Sequence, residues 1–367
     1  MLCKFKVKGY KGFDKEIVLD FENHKEYQFN KNLIKNGLIN KAIIYGKNGS
    51  GKTNIGYALF DITFHLTDKN KNMESRIMSN YLNMDDNHKY AEFYYEFKFG
   101  NDKIIYKYKK ENLYKLIYEE VLYNDKKIIE YDFLNPKSKV IDIEEAKLLN
   151  WKYNDDNLSV VKYVCNNTIL NKNNILQKMM EFVNSMLWFR SVENNGFIGL
   201  KNNIDKLDEI IIDNNKIKDF SLFLHENGID YNIIELKTSN DKVLAVKKGK
   251  NVTVFKTIIS SGTRALWLYY CWEIYFNKIK FLFIDEFDAT YHFELAAKIV
   301  QRLNLNSSFQ TILTSHNTYL MSNKLSRPDC TFIITPEYIK SLSLCTDKEL
   351  REAHNIEKMY REGKFDN

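Results

Sequence analysis

Gly46-Lys47-Asn48-Gly49-Ser50-Gly51-Lys52-Thr53 constrains this chain more than any other stretch. Its spacing, GxxxxGK[ST], works only where a buried strand ends, a glycine-rich turn follows and a helix begins. The glycines let successive backbone N–H groups point inward as an anion cradle. A helix starting near Thr53 aims its positive end at the same place. Lys52 is then expected at the β/γ-phosphates of a nucleotide, and the Thr53 hydroxyl at Mg²⁺. The flanks agree. Ala42-Ile43-Ile44-Tyr45 reads as a buried strand, and the pattern from Thr53 to about His65 is helical. A plain glycine-rich turn before a helix is the competing reading, and the buried strand in front of it weighs against that.

A second apolar run, Phe281-Leu282-Phe283-Ile284, ends in Asp285 and Glu286. A buried strand would carry Asp285 to the edge of the sheet, where it could hold Mg²⁺ through water. Glu286 could orient or deprotonate an attacking water. A third run, Thr311–Thr314, leads into Ser315-His316-Asn317, which puts the His316 imidazole where it could sense a γ-phosphate. Each of these, taken alone, is an ordinary strand end. The phosphate loop upstream makes them candidates.

The 367 residues are enough for two to three domain-sized units. Hydrophobic residues at 44% and charged ones at 28% exclude a disordered or collagen-like chain. A net charge of +6 permits nucleic-acid contact without implying it, and Lys247, Lys248 and Lys250 read as a solvated turn. Cys3, Cys165, Cys271, Cys330 and Cys345 form no CxxC pair, so neither a zinc site nor a disulfide framework is indicated, and a reducing cytoplasm fits. The apolar run Ala265–Phe276 is interrupted by Glu273 and is too short for a membrane span. The N-terminus lacks the apolar core of a signal peptide.

Along the chain, Cys3–Val7, Glu16–Phe21, Phe93–Phe99, Ile104–Tyr108 and Lys115–Tyr123 read as strands, the last three antiparallel. From Ile143 to about Gly228 the periodicity is mostly helical. Strands return at Asn232–Lys237, Val243–Val246, Val252–Ile258 and Cys330–Thr335. Helices are expected at Ala265–Phe276, Glu294–Leu303 and Leu350–Tyr360. The expectation is an α/β chain: a mixed sheet with helices plus an antiparallel β lobe, and an inserted, mainly helical lobe. Its parts are an N-terminal lobe 1–135, a helical insert 136–230 and a C-terminal lobe 231–367. The stretch from about 135 to 230 is expected either to present Trp151, Trp188 and Phe189 as exposed aromatics to a partner or a second subunit, or to pack on itself as a helical lobe.

The order of phosphate loop, insert, Ser260-Ser261-Gly262-Thr263-Arg264, Asp285-Glu286 and Ser315-His316-Asn317 resembles the ABC-type ATPases. It is most similar to their soluble branch, which includes RecF, SMC proteins and OLD-family proteins. Phe5-Lys6-Val7-Lys8-Gly9-Tyr10-Lys11-Gly12-Phe13 resembles the opening of that branch, and GKNGSGKTN resembles its phosphate loop. The resemblance implies an ABC-type P-loop ATPase head, using ATP and Mg²⁺, that closes as a nucleotide-sandwich homodimer or higher oligomer. It implies nucleotide contacts from Gly46, Lys47, Asn48, Gly49, Ser50, Gly51, Lys52, Thr53, Asn54 and Asp288. Ser260, Ser261 and Gly262 would cap the nucleotide of the other subunit. Thr53 and Asp285 would serve the metal, and Glu286 and His316 catalysis.

Three further stretches resemble ATPase subunits of phage-defence and abortive-infection systems. They are Asp285-Glu286-Phe287-Asp288-Ala289-Thr290-Tyr291-His292, Thr314-Ser315-His316-Asn317 and the tail Leu350–Phe365, with its Tyr360, Gly363 and Phe365. That resemblance implies a slow ATPase acting as a switch or sensor on a separate effector, a toxin or a nuclease. The alternative is a RecF-like DNA-repair or DNA-clamping ATPase, which leaves nucleic acid open as a partner. The pattern departs from the family in two places. None of Gln28, Gln177, Gln301 and Gln310 stands where the Q-loop glutamine belongs, and Thr263 replaces the final glutamine of the signature. About 50 residues follow His316, too few for the Toprim domain of an OLD nuclease. The long stretch between Lys52 and Asp285 argues against a transporter subunit, and the insert lacks the heptads of an SMC tether.

Overall fold

The computed structural model describes residues 1–69, 77–84, 88–137, 139–151, 158–191, 196–201, 206–237 and 241–365. The chain opens with β1 (Leu2–Lys8) and β2 (Ile17–Asp20), then runs through β3 (Lys41–Tyr45) into helix α1 (Lys52–Leu66). A meander follows: β4 (Ala91–Phe99), β5 (Asp102–Lys110), β6 (Leu116–Tyr123), β7 (Lys126–Asp132) and β8 (Lys139–Ile141). These join β1 and β2 in one antiparallel sheet of order β8-β7-β6-β5-β4-β1-β2. The alternation in β4 does what its period requires: Phe93, Tyr95 and Phe97 are buried on one face, and Lys98 on the other is exposed. Asn124 and Asp125 close the β6–β7 hairpin with both φ angles positive, the geometry that matches strand twist.

The second half contributes α2 (Val160–Asn167), α3 (Ile175–Asn184), β9 (Met186–Arg190), β10 (Phe197–Gly199), α4 (Leu207–Asp213) and α5 (Ile217–Glu226). A small antiparallel sheet follows, β11 (Ile233–Lys237), β12 (Lys242–Lys248) and β13 (Asn251–Val254). The last elements are α6 (Ser261–Glu273), β14 (Phe281–Asp285), α7 (Phe293–Leu305), β15 (Gln310–Ser315), β16 (Thr331–Ile334), β17 (Ile339–Ser341) and α8 (Ile356–Arg361). The central sheet has the order β10-β9-β14-β15-β3-β16-β17. Its five inner strands are parallel and both edge strands antiparallel.

Parallel strands covered on both faces need apolar residues at every position, which is why these runs are continuous rather than alternating. Ala42, Ile44, Trp188, Phe281, Phe283 and Ile312 pack into one core with α1, α2, α3 and the antiparallel sheet. Ile43, Tyr45, Leu187, Phe189, Leu282, Ile284 and Leu313 pack into the other with α4, α5, α6 and α7. The first helix comes very close to the sheet at Gly56, where an added Cβ would stand 2.8 Å from the rings of Phe283 and Trp188. Polar bonds fix its far side. Asp61 is fully buried and takes hydrogen bonds from Lys110 (2.8 Å), Tyr81 (2.8 Å) and Tyr108 (2.9 Å). The neighbouring Glu119 accepts from Tyr106 (2.5 Å), Ser159 (2.6 Å) and the Val160 N–H (2.6 Å).

Several expectations are corrected. The stretch 136–230 is not a separate helical lobe, because β9 and β10 lie within it and β9 pairs with β14 of the central sheet. Trp188 and Phe189 are 0% and 1% exposed, so they are core residues and not a docking surface. Met186-Leu187-Trp188-Phe189 is a four-residue apolar run whose alternate side chains enter the two cores. Trp151 is half-buried and donates its indole N–H to the Ala146 carbonyl (3.2 Å). The strand expected through Ile258 stops at Val254, and a 3₁₀ turn over Phe255–Thr257 buries Phe255. The last helix starts at Ile356 rather than Leu350, because Asn355 caps it by accepting the Lys358 N–H (2.9 Å). Among the described residues, no helix is long and apolar enough to cross a membrane.

Candidate nucleotide site

The loop 46–53 leaves the C-terminal end of β3, where the parallel strands β9, β14 and β15 also end. That edge is where ligands collect in open α/β sheets. Gly51 caps α1 at φ +100°, and a Cβ on it would lie 2.7 Å from the Phe13 ring. Lys52 is 5% exposed, and its Nζ donates to the carbonyls of Gly46 (2.8 Å) and Lys47 (3.0 Å). Burial pulls its pKa below the usual lysine value, opposed by Glu286, Asp285 and Asp288. Asn54 is half-buried beside Gly12.

The Thr53 hydroxyl donates to Oδ2 of Asp285 (2.8 Å), so the first turn of α1 is tied directly to the end of β14. The other oxygen of Asp285 accepts from the Thr314 hydroxyl (2.8 Å), and Thr314 in turn accepts the Glu286 N–H (2.7 Å). One threonine on the neighbouring strand thus aligns both acids. Asp285 is fully buried, which pushes its pKa up, with the Thr314 and Thr53 hydrogen bonds working against that. Glu286 sits at φ +47°, a strained conformation for a residue with a side chain, and strain of this kind clusters at functional sites.

His316 leaves the end of β15 with its Nε2 4.0 Å from Oε1 of Glu286. Burial and the nearby Lys52 lower its pKa, with Glu286 and the Gly46 backbone working the other way. Asp288 is buried and accepts from the Ser315 hydroxyl (2.7 Å), and burial raises its pKa.

The signature residues stand apart from this cluster. Ser260 caps α6 by accepting the Thr263 N–H (3.2 Å), which starts that helix ahead of the expected Ala265. Ser260 and Ser261 are exposed, and Gly262 lies against the Thr290 carbonyl. Among the described residues, none of the three hydrogen-bonds to residues 46–53. The tail motif lies beside the loop: Tyr360 and Phe365, with Ile334, Pro336 and Tyr338, line a cavity of about 280 Å³ against Gly46–Ser50.

Thr314 and Ser315 stood in a motif of the sequence without a role of their own, and Arg190 is a site residue that sequence reasoning missed. Arg190 ends β9 and donates from Nη2 to Oε2 of Glu286 (2.7 Å), with Nε 3.5 Å from Oδ2 of Asp285. The signal was present, because Met186–Phe189 followed by Arg190 repeats the apolar-run-then-charge pattern of Phe281–Asp285.

The oxygen donors fit a magnesium ion. Among the described residues, no group of three or more His, Cys, Asp and Glu is placed to hold a metal alone. A hydroxyl and a carboxylate facing each other suit Mg²⁺, which keeps waters and takes phosphate oxygens as its other ligands.

A parallel sheet carrying a phosphate loop on one strand, an acidic pair on a second and a histidine on the strand between them is the arrangement of a P-loop nucleotide-binding domain. The chain matches, over residues 41–322, the family described as "AAA domain, putative AbiEii toxin, Type IV TA system", and it belongs to that family. No curated protein matches the chain in sequence. Solved structures similar to it include an SMC head bound to the C-terminal winged-helix domain of ScpA, at 16% identity and TM-score 0.48, over 92% of this chain and 96% of that one. Another is the SMC head domain from Thermotoga maritima, at 14% identity and TM-score 0.44, over 93% and 98%. A third is the recombination mediator RecF of the RecFOR pathway, at 14% identity and TM-score 0.41, over 93% and 98%. At such scores these are distant likenesses, and family membership rests on the match over residues 41–322.

Proposed function

We propose that this chain is a Mg²⁺-dependent ATPase of the cytoplasm that closes as a homodimer around nucleotide and acts as a switch on a separate effector in antiviral defence. The observation that carries the ATPase reading is the hydrogen-bonded series Thr53–Asp285–Thr314–Glu286, which ties the phosphate loop to a carboxylate able to accept a proton. Lys52 and the loop N–H groups bind the β/γ-phosphates, and Thr53 and Asp285 hold the metal. Bound Mg²⁺ supplies charge neutralisation at the phosphoryl oxygens. Glu286 takes the proton of the attacking water, and His316 beside it donates a hydrogen bond toward the terminal phosphate.

The dimer reading is supported by the exposed cap of α6, whose hydroxyl makes no bond to the loop of its own chain. The effector reading is supported by the family's description, which names a toxin and a toxin–antitoxin system. Glu286→Gln tests the core of this. The amide keeps the shape and cannot accept the proton, so nucleotide binding should persist while turnover falls by about a hundredfold or more. Turnover close to that of the unaltered protein would remove Glu286 from the role of base.

A further inference from the structure

Arg190 lies in register with Asp285 across β9 and β14. Its guanidinium spans both acids, with Nη2 2.7 Å from Oε2 of Glu286 and Nε 3.5 Å from Oδ2 of Asp285. That Asp285 oxygen is the one that receives the Thr53 hydroxyl at 2.8 Å. Lys52, also at this edge, is directed at the carbonyls of Gly46 and Lys47 instead.

We propose that Arg190 is the resident countercation of the acidic pair, which an entering divalent cation must displace and which then passes to the terminal phosphate. This rests on the reading of Thr53 and Asp285 as the metal-holding pair. Two adjacent carboxylates, one of them fully buried, need a compensating charge. The guanidinium supplies it when no metal is there. A divalent cation between Thr53 and Asp285 would come within a few ångströms of that guanidinium, so the two positive charges compete for the same oxygens. The planar fork of arginine matches a phosphate as well as a carboxylate, which gives the displaced group a partner as nucleotide arrives. Glu286 is therefore held by Arg190 until substrate is in place, and water is not activated at an empty site. Arg190 acts here through Glu286 and the metal, as a positioning residue.

The test is the affinity of the full chain for Mn²⁺ without nucleotide, read by electron paramagnetic resonance. Arg190→Gln removes the charge and should bind Mn²⁺ about tenfold tighter or more than the unaltered protein. Arg190→Lys keeps the competing positive charge and should stay within about twofold. Adding Asp285→Asn to Arg190→Gln should abolish the gain. Equal affinities for the unaltered protein and Arg190→Gln, or a gain that survives Asp285→Asn, would overturn the proposal. Where Arg190→Gln does not fold, Arg190→Gln combined with Glu286→Gln removes the nearer of the two carboxylates that the arginine pairs with, and is compared with Glu286→Gln alone under the same criterion. Failure of the ATPase reading shows separately, as absence of ATP binding by the unaltered protein in calorimetry, while the Mn²⁺ comparison still reads.

Discussion

Lys52 closes the phosphate loop on itself, its ammonium bridging two loop carbonyls. Those bonds hold the loop in shape, and the same ammonium is the cation that would turn to the phosphates. Lys52→Ala is expected to weaken ATP binding by about a hundredfold or more, since it removes a charge-assisted bond to a multiply charged ligand, and calorimetry reads this directly. Lys41, at the start of β3 and away from the loop, is a stability group. Its Nζ is buried against the Phe309 carbonyl (2.9 Å) and the Thr311 hydroxyl (2.8 Å), and burial lowers its pKa to about 7. The unfolded chain therefore holds a proton that the folded one has released as pH rises above 7, so this group adds stability with increasing pH. Met1, lowered to about 6, and Lys11, lowered to about 8, act in the same direction, so the comparison must be between variants. Lys41→Met should flatten the rise of Tm between about pH 7 and pH 9, and an unchanged slope would show that Lys41 is not the group responsible.

At the scale of elements, the site depends on α1 keeping its place between two sheets. Its apolar side faces the central sheet, and its Asp61 reaches Lys110 of the antiparallel sheet, with both side chains fully shielded from water. Removing one member strands a buried charge. Asp61→Ala is expected to cost about 3–5 kcal/mol in urea unfolding, and Asp61→Asn with Lys110→Met to cost clearly less. Equal losses in the two would mean that packing, not charge, dominates there. The apolar runs of β3, β14 and β15 are readable as buried strands because short, continuous stretches rich in Ile, Thr, Phe and Tyr fill them between turns. Met186–Arg190 has the same character but follows a helix closely, and periodicity alone does not separate a short buried strand from a buried helical segment. The same ambiguity hid Arg190. The caps were legible in principle: Ser260 and Asn355 both precede helices that begin at them and not at the first apolar residue.

For the whole molecule, the expected closure brings the exposed α6 cap of one subunit to the phosphate loop of another. Ser260→Arg should leave ATP binding by the monomer within about twofold and block ATP-dependent dimerisation, because a bulky side chain fills the phosphate gap. Scattering or sedimentation measures the dimer. A mixture of Ser260→Arg and Lys52→Ala subunits gathers both lesions in one site of a mixed dimer and leaves the other intact, so part of the lost hydrolysis should return. Normal ATP-dependent dimerisation of Ser260→Arg would remove Ser260 from the interface.

The sequence by itself determined the placement of the phosphate loop, the acidic pair and the histidine at the ends of buried strands, because a buried strand ending in a fixed polar residue is a local pattern with few folded realisations. It also determined the alternating strand β4, where period and burial coincide. Tertiary structure alone decided the rest. Which strand lies beside β14, and so which side chain reaches Glu286, depends on pairing between residues almost a hundred positions apart. Thr314 became the bridge between Asp285 and Glu286 only because β15 runs parallel to β14 in that register. Such contacts are set by sheet order, and sheet order is fixed by how the two apolar cores close around the sheet, a property of the folded chain that no local stretch encodes.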